Sequence, residues 1–363
     1  MVFHWALRFR LSGATTLLPN VSPQQPMTAR HMLGHAVVVS VLLAGCGGGA
    51  ARPAATRSAS LSPTPTTSSS GSAPATPTAT APTPPRPGVA HPRPRPATPS
   101  YPRLLSSALS SAATGFVPVS SWRGQTAAWI SRSPAGVALL ALNQRLLALH
   151  LHSGTTDAGA TGWRFGPEVA ASEIRHLVGA FNGGFKFSTG SGGFLSYGRV
   201  GAPLRIGAGS VVTYADGRTD IGTWGSEVPA RGRQLTSVRQ NLPLLIDGGS
   251  AASNPGCLSC WGSTITGNVA PARSGLGITA DGTLIWAAGE HLTVAALADA
   301  LLGAHVVRAV QLDINPFWVA GYLYGHRGGA GPLAPVPVVP GQNGISGQYL
   351  APWSRDFFTI VTR

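Results

Sequence analysis

From Arg273 to Trp318 the hydrophobic period of the chain changes twice, and no other stretch constrains the fold as tightly. Arg273-Ser274-Gly275 leads into Leu276-Gly277-Ile278-Thr279, then Ala280-Asp281-Gly282, then Thr283-Leu284-Ile285-Trp286. Two β-prone runs around Asp-Gly read as a hairpin. Thr293 is placed to cap a helix in which Val294, Leu297, Ala298, Leu301 and Leu302 form one buried face and Gly303 ends it. Val306 to Leu312 is an apolar run of strand length that delivers Asp313 to its carboxyl end. If the strands flanking the helix run parallel, the unit is a right-handed crossover. Ligands in open α/β sheets collect at the carboxyl ends of strands. Asp313-Ile314-Asn315-Pro316 is therefore the first candidate for chemistry.

The formal charge of +14 suggests a nucleic-acid partner, but its distribution argues against one. All 12 acidic residues lie at or beyond Asp157, while the 156 residues before it carry 12 arginines. From residue 157 onward, 14 basic residues face 12 acidic ones, so the surplus belongs to the leading segment. No nucleic-acid partner is expected. Lys186 is the only lysine beside 25 arginines, a bias that fits a GC-rich genome better than a chemical role.

Leu33 to Gly45 is an apolar run after Arg30 and His31, too short to span a membrane but suited to a signal-peptide core. It ends in Leu43-Ala44-Gly45-Cys46, which resembles a bacterial lipobox and implies a lipid on Cys46. The plainer reading is an ordinary secretory signal with a chance cysteine. Gly47-Gly48-Gly49 and the tether that follows favour the lipoprotein. Residues 1–26 fit no part of a signal, so Met27 or Met32 is an alternative start. Residues 47–103 hold 14 of the 31 prolines among Ser, Thr, Ala and Arg. Such a composition buries no core and reads as a disordered tether of at most roughly 170 Å. The expected location is the outer face of the cytoplasmic membrane, with the lipid anchor as the membrane contact.

The remainder, 104–363, is long enough for one substantial core. Strand-like runs span Ala127 to Arg132, Gly136 to Leu142, Leu146 to His152, Leu177 to Phe181, Leu204 to Tyr214, Ile221 to Trp224 and Asp356 to Thr362. Asp216-Gly217-Arg218 marks a second hairpin, Gly154 to Gly159 a polar loop, and Glu168 to His176 a short helix. The expected class is α+β (mixed α/β): a single strand-rich domain with a mixed sheet and a few packed helices.

Cys257 and Cys260 sit in a Gly-, Ser- and Asn-rich loop. Further zinc ligands at suitable spacing are lacking, and no helix start is at hand for a redox pair. A small structural disulfide is the expectation, with no metal and no cofactor.

Four polar turns follow apolar runs. They are Ala180 to Lys186 with Asn182-Gly183-Gly184 inside it, Arg239 to Gly249 opening on Arg239-Gln240-Asn241 and ending in Ile246-Asp247-Gly248-Gly249, Arg273-Ser274-Gly275, and Leu312-Asp313-Ile314-Asn315. Each alone reads as architecture: Gly-Gly turns supply positive φ, a single arginine is usually solvated, and an aspartate caps a turn. As an ordered set they resemble the phosphodiester glycosidase family, to which the N-acetylglucosamine-phosphodiester uncovering enzyme belongs. The resemblance covers roughly Gly136 to Asn315. It implies hydrolysis of the bond between a sugar anomeric carbon and a phosphodiester oxygen, with a cell-envelope or extracellular glycan as substrate. The sequence departs from the family at one point: Leu312-Asp313-Ile314-Asn315-Pro316-Phe317-Trp318 stands where Leu-Asp-Gly-Gly is usual.

A carboxylate near the anomeric carbon stabilises an oxocarbenium-like state, and arginine holds phosphate bidentately. Asp313 and Asp247 are the candidate nucleophile or base, and Arg273 and Lys186 the phosphate contacts. Asn182 and Asn315 are candidates for orienting sugar hydroxyls or water. Gly183 and Gly184 allow close approach, and Trp318 offers a stacking platform. The alternative keeps the same fold as a non-catalytic, cell-surface glycan-binding module. A deep cleft lined by Asn182, Arg273 and Asp313 favours the enzyme. A shallow aromatic face at Trp318 with Asp313 ion-paired favours the binder.

Overall fold

The computed structural model describes residues 100–105, 115–262, 267–327, 332–345 and 347–363. The signal segment, Cys46 and nearly all of the tether lie outside the described residues. In chain order the strands begin β1 (Arg103–Leu104), β2 (Val117–Trp122), β3 (Gln125–Arg132), β4 (Ala138–Leu142), β5 (Leu147–His152) and β6 (Leu177–Asn182). They continue β7 (Phe194–Ser196), β8 (Arg199–Ala202), β9 (Gly209–Tyr214), β10 (Thr219–Thr223), β11 (Leu235–Gln240), β12 (Ile246–Asp247) and β13 (Ser250–Ala251). The last are β14 (Arg273–Thr279), β15 (Leu284–Gly289), β16 (Val306–Gln311), β17 (Gly321–His326), β18 (Leu333–Pro337) and β19 (Phe357–Thr362). Among the described residues the single α-helix is α1 (Val294–Gly303).

Three sheets result, and every strand pair in them is antiparallel. The first has the order β1-β2-β3-β4-β15-β14-β16-β12-β13, the second β10-β9-β11-β7-β8, the third β18-β17-β6-β19-β5. This corrects the expected α+β (mixed α/β) class: the domain is all-β apart from one helix. The reason lies at α1. Strands β15 and β16 do run in the same direction, but β14 lies between them and pairs antiparallel with both. The hairpin thus fills the space that a parallel neighbour would have taken.

The helix expected at Glu168 to His176 is a series of turns. Glu173 explains why. Its Oε2 accepts the Ala170 N–H at 3.0 Å, and its Oε1 accepts the Thr359 hydroxyl at 2.7 Å and lies 2.7 Å from His150 Nδ1. Side chains on β5 and β19 therefore fix this segment in place of a helical ladder. Two smaller corrections concern boundaries. The run from Leu204 becomes strand only at Gly209, because Arg205 N–H is taken by Gln240 Oε1 at 2.7 Å. Gly303 is the last helical residue, and the left-handed position is His305 with φ of 60°.

The core follows from alternation along the strands. Phe181 on β6 lies 5.6 Å from Trp286 on β15 and 5.4 Å from Phe358 on β19, ring centre to ring centre. Each such side chain contributes about 2–3 kcal/mol by leaving water. On its other face the long sheet carries α1. Thr293 Oγ1 accepts the Ala296 N–H at 3.1 Å, and Val294, Leu297, Ala298 and Leu301 pack on Leu139, Ile285 and Ala309. Leu302 is only partly buried. The cap contributes about 1 kcal/mol.

Candidate functional site

The ends of the three sheets converge on one buried cluster of charged and polar groups. Asn182 ends β6, and in the neighbouring strand Phe357 pairs with it, which sets Arg355 and Asp356 beside Gly183 and Gly184. The β14–β16 pairing runs on past the end of β16: Leu312 N–H donates to Ser274 O at 2.8 Å, and Ser274 N–H to Asp313 O at 3.0 Å. Asn182 Nδ2 donates to Ser274 Oγ at 2.9 Å, and Ser274 Oγ donates to the Asp313 carbonyl at 3.3 Å. Two motifs far apart in sequence thus meet on one serine.

Asp313 is 4% exposed. Its Oδ1 accepts the N–H groups of Ile314 at 2.7 Å and Asn315 at 2.9 Å, and Oδ2 lies 3.4 Å from Arg355 Nη2. Burial pushes its pKa up to about 6, against the lowering effect of the Arg355 charge and the two N–H groups; Asp356 adds to the rise. A strand-end carboxylate with no Lys or Arg beside it in sequence is expected to stay near its ordinary value in a partly open cleft. The structure encloses it beside an arginine that follows it by 42 residues.

Arg355 is the centre of the charge arrangement. Its Nη2 donates to Gly184 O at 2.9 Å, and Nε lies 2.5 Å from Asp157 Oδ2 in an ion pair whose angle does not make it a hydrogen bond. Its Nη1 is buried with no protein partner among the described residues, as is Asn182 Oδ1. Behind it, Arg239 grips Asp356 through Nε–Oδ2 at 2.7 Å and Nη2–Oδ1 at 3.0 Å, with both side chains buried. Gly183 and Gly184 are required here for space. A Cβ at 183 would collide with the Asp356 carboxylate, and one at 184 would lie 2.8 Å from the Arg239 guanidinium carbon.

The remaining sequence candidates are elsewhere or otherwise occupied. Arg273 is fully buried on the opposite face of β14 from Ser274, where Nε donates to Leu292 O at 2.9 Å and Nη1 to Gln311 Oε1 at 2.9 Å. Burial lowers its pKa to about 10. It braces the loop before α1 and is not presented to a phosphate. Asp247 is exposed in the β12–β13 hairpin, where Ile246 pairs with Ala309, so it lies toward the start of β16, away from Asp313. Lys186 is exposed. Asn315 Oδ1 accepts the Phe317 N–H at 3.0 Å, so its side chain caps the turn that carries Pro316. Trp318 is half-buried, with its ring 5.5 Å from the Arg355 guanidinium and 5.7 Å from Trp353. Cys257 and Cys260 form a disulfide.

Asp157, Arg355 and Asp356 are not among the sequence candidates, and Arg239, which opens the second polar turn, is given no role there. Asp157 falls in a loop read only as polar, Asp356 opens the closing strand read at Asp356 to Thr362, and Arg355 stands just before it. The one available signal was that Asp157 is the first acidic residue of the chain. The described residues hold no group of three or more His, Cys, Asp or Glu arranged to bind a metal ion, and no helix among them is long and apolar enough to cross a membrane.

No family model matches the chain, and no curated protein sequence does. Among solved structures it is similar to the catalytic domain of zebrafish N-acetylglucosamine-1-phosphodiester alpha-N-acetylglucosaminidase, auto-inhibited by its pro-peptide. Identity is 14%, coverage 73% of this chain and 87% of that one, and the TM-score 0.41. A hypothetical protein from Synechocystis is similar at 14% identity, covering 69% of this chain and 61% of that one, with a TM-score of 0.39. At these values neither neighbour decides what this chain does.

Proposed function

We propose that the chain is an extracytoplasmic hydrolase that cleaves glycosyl phosphodiesters, held at the membrane by a lipid on Cys46 and the tether 47–103. The observation that carries this reading is the meeting of Asn182 and Asp313 on Ser274, beside an Arg355 with one buried, unpartnered N–H group. In the reaction the bond from the anomeric carbon to the phosphoryl oxygen breaks, the phosphate monoester leaves, and water adds at the anomeric carbon. Asp313 serves as the carboxylate: ionised, it stabilises positive charge at the anomeric carbon or takes a proton from water. Arg355 Nη1 takes a phosphoryl oxygen, the role the sequence suggested for Arg273. Asn182 Oδ1 accepts from a sugar hydroxyl or from the attacking water. Substrate entry requires the Trp318 side chain to move from its place against Arg355.

A purified sample assayed against a panel of sugar phosphodiesters tests this directly. Release of free sugar by the wild type and not by Asp313→Asn is the expected result. Equal rates for the two proteins, or no release from any member, would exclude Asp313-dependent hydrolysis.

One observation favours the second reading, a glycan-binding module. Asp313 is ion-paired, and Arg273 turns away from Asn182 and Asp313 to Leu292 and Gln311. The hydrolase is preferred because the ion pair is long and two buried polar atoms beside it have no protein partner among the described residues. Stable binding of a panel member without turnover would decide for the module.

A further inference from the structure

Three turns, two of them hairpins and one a crossing between sheets, meet at the other end of β14, five residues or roughly 17 Å from Ser274. They join β4 to β5, β9 to β10 and β14 to β15, and they line a cleft of about 510 Å³. The cleft is built rather than incidental. Gln144 Nε2 donates to Thr219 O at 3.0 Å and Gly282 O at 2.7 Å, and its Oε1 accepts the Thr219 N–H at 2.7 Å. A single amide thus latches all three turns. Arg363 ties the first two again through the carbonyls of Gln144 and Asp216.

The charges around it are unequally committed. Asp220 is held by Arg308 at 3.0 Å, and Asp281 turns its oxygens to Thr279 and Thr283 in its own hairpin. Arg233 grips Asp216 at 2.8 and 2.7 Å and stacks on Tyr214. Arg145 and Arg218 are exposed and have no side-chain partner among the described residues. Trp129, half-buried in the same wall, packs on the apolar cluster beneath α1 and stacks on no other aromatic ring among the described residues. Two free guanidinium groups and an unstacked indole in a cleft of disaccharide scale are the elements that recognise a charged sugar.

We propose that this cleft is a second binding site, for an anionic carbohydrate chain, with a phosphate or carboxylate on Arg145 and Arg218 and a sugar ring against Trp129. It is separate from the Asp313 cluster and does not depend on the hydrolase reading. Calorimetric titration of the purified protein tests it with phosphorylated mannotetraose, tetragalacturonate, neutral mannotetraose and inorganic phosphate. At least one anionic oligosaccharide should bind tenfold or more tightly than the neutral sugar and than phosphate alone, and the tighter of the two identifies the anion. Arg145→Gln with Arg218→Gln should cost at least tenfold in affinity with an unchanged melting temperature, since both side chains are exposed. Asp313→Asn should leave that affinity unchanged. Equal binding of the neutral sugar or of phosphate, no binding of either anionic chain, full affinity in the double variant, or loss in Asp313→Asn would each overturn the proposal.

Discussion

Asp313 shares Arg355 with Asp157: Arg355 Nη2 lies 3.4 Å from Asp313 Oδ2, while Nε of the same guanidinium lies 2.5 Å from Asp157 Oδ2. One buried cation between two buried carboxylates compensates neither fully. Such an arrangement is a weak source of stability, because the desolvation of three charges rivals their attraction. It is effective at holding a carboxyl group near the point where it changes protonation state.

The pH dependence of stability follows from that. Asp313 titrates at about 6 in the fold against an ordinary 3.8, so between these values the folded chain holds a proton that the unfolded chain has lost. Stability from this group is present below about pH 4 and is lost as pH rises through 6. The displacement corresponds to at most roughly 3 kcal/mol at neutral pH. Asp313→Asn should therefore raise stability by about 1–3 kcal/mol at pH 7.5, with the gain vanishing near pH 4. Urea unfolding at both pH values is the measurement. A variant less stable than the wild type at pH 7.5 would mean the carboxylate is a net stabiliser.

Arg273 should behave as a structural residue. Its guanidinium donates to the Leu292 carbonyl and to Gln311, and nothing of it is exposed. Arg273→Ala leaves buried acceptors without donors and is expected to cost about 3–5 kcal/mol. The Michaelis constant of whatever protein remains folded should change little. A stable Arg273→Ala protein with a greatly raised Michaelis constant would restore the phosphate role.

What the sequence made legible was local. The hairpin at Asp281-Gly282, the Thr293 cap, and the strand that delivers Asp313 depend on neighbouring residues and a fixed period, and each is present. The class was not legible, because nothing local shows that β14 lies between β15 and β16. Arg273 and Ser274 show the same limit at the site. Adjacent strand residues face opposite ways, and the sequence does not say which one faces Asn182. Arg355 and Asp356 become visible only when Phe357 is known to pair with Asn182.

The two Gly-Gly motifs should separate under the same substitution. At Gly184 a Cβ would press on the Arg239 guanidinium, whereas at Gly248, with φ of 54°, it would meet nothing within 4 Å. Gly184→Ala is expected to cost about 2–4 kcal/mol and to suppress any Asp313-dependent activity. Gly248→Ala pays only backbone strain, about 1 kcal/mol. Comparable losses in thermal unfolding would contradict the steric account.

Location rests on Cys46. With a lipid on that sulfur, Cys46→Ala should move the protein from the membrane fraction to the soluble one or leave it unprocessed, and it should abolish incorporation of labelled fatty acid. Unchanged fractionation and labelling would remove the anchor from the reading.

Arg355 makes the sharpest kinetic test, because it touches both the carboxylate and the space proposed for phosphate. Its charge lowers the Asp313 pKa, which burial raises. Arg355→Met removes that charge and should move the acid limb of the pH–rate profile upward from about 6. Phosphate binding should weaken at the same time, raising the Michaelis constant by roughly tenfold or more. Arg355→Lys keeps a charge but cannot reach Asp157, the Gly184 carbonyl and a phosphoryl oxygen together. It should hold the acid limb near its original position while the Michaelis constant still rises. A merely structural arginine would lower the fraction of active protein in both variants and leave the Michaelis constant of the remainder where it was, even where loss of its charge moves the limb. That result would take Arg355 out of the site and leave the phosphate without a partner in this cluster.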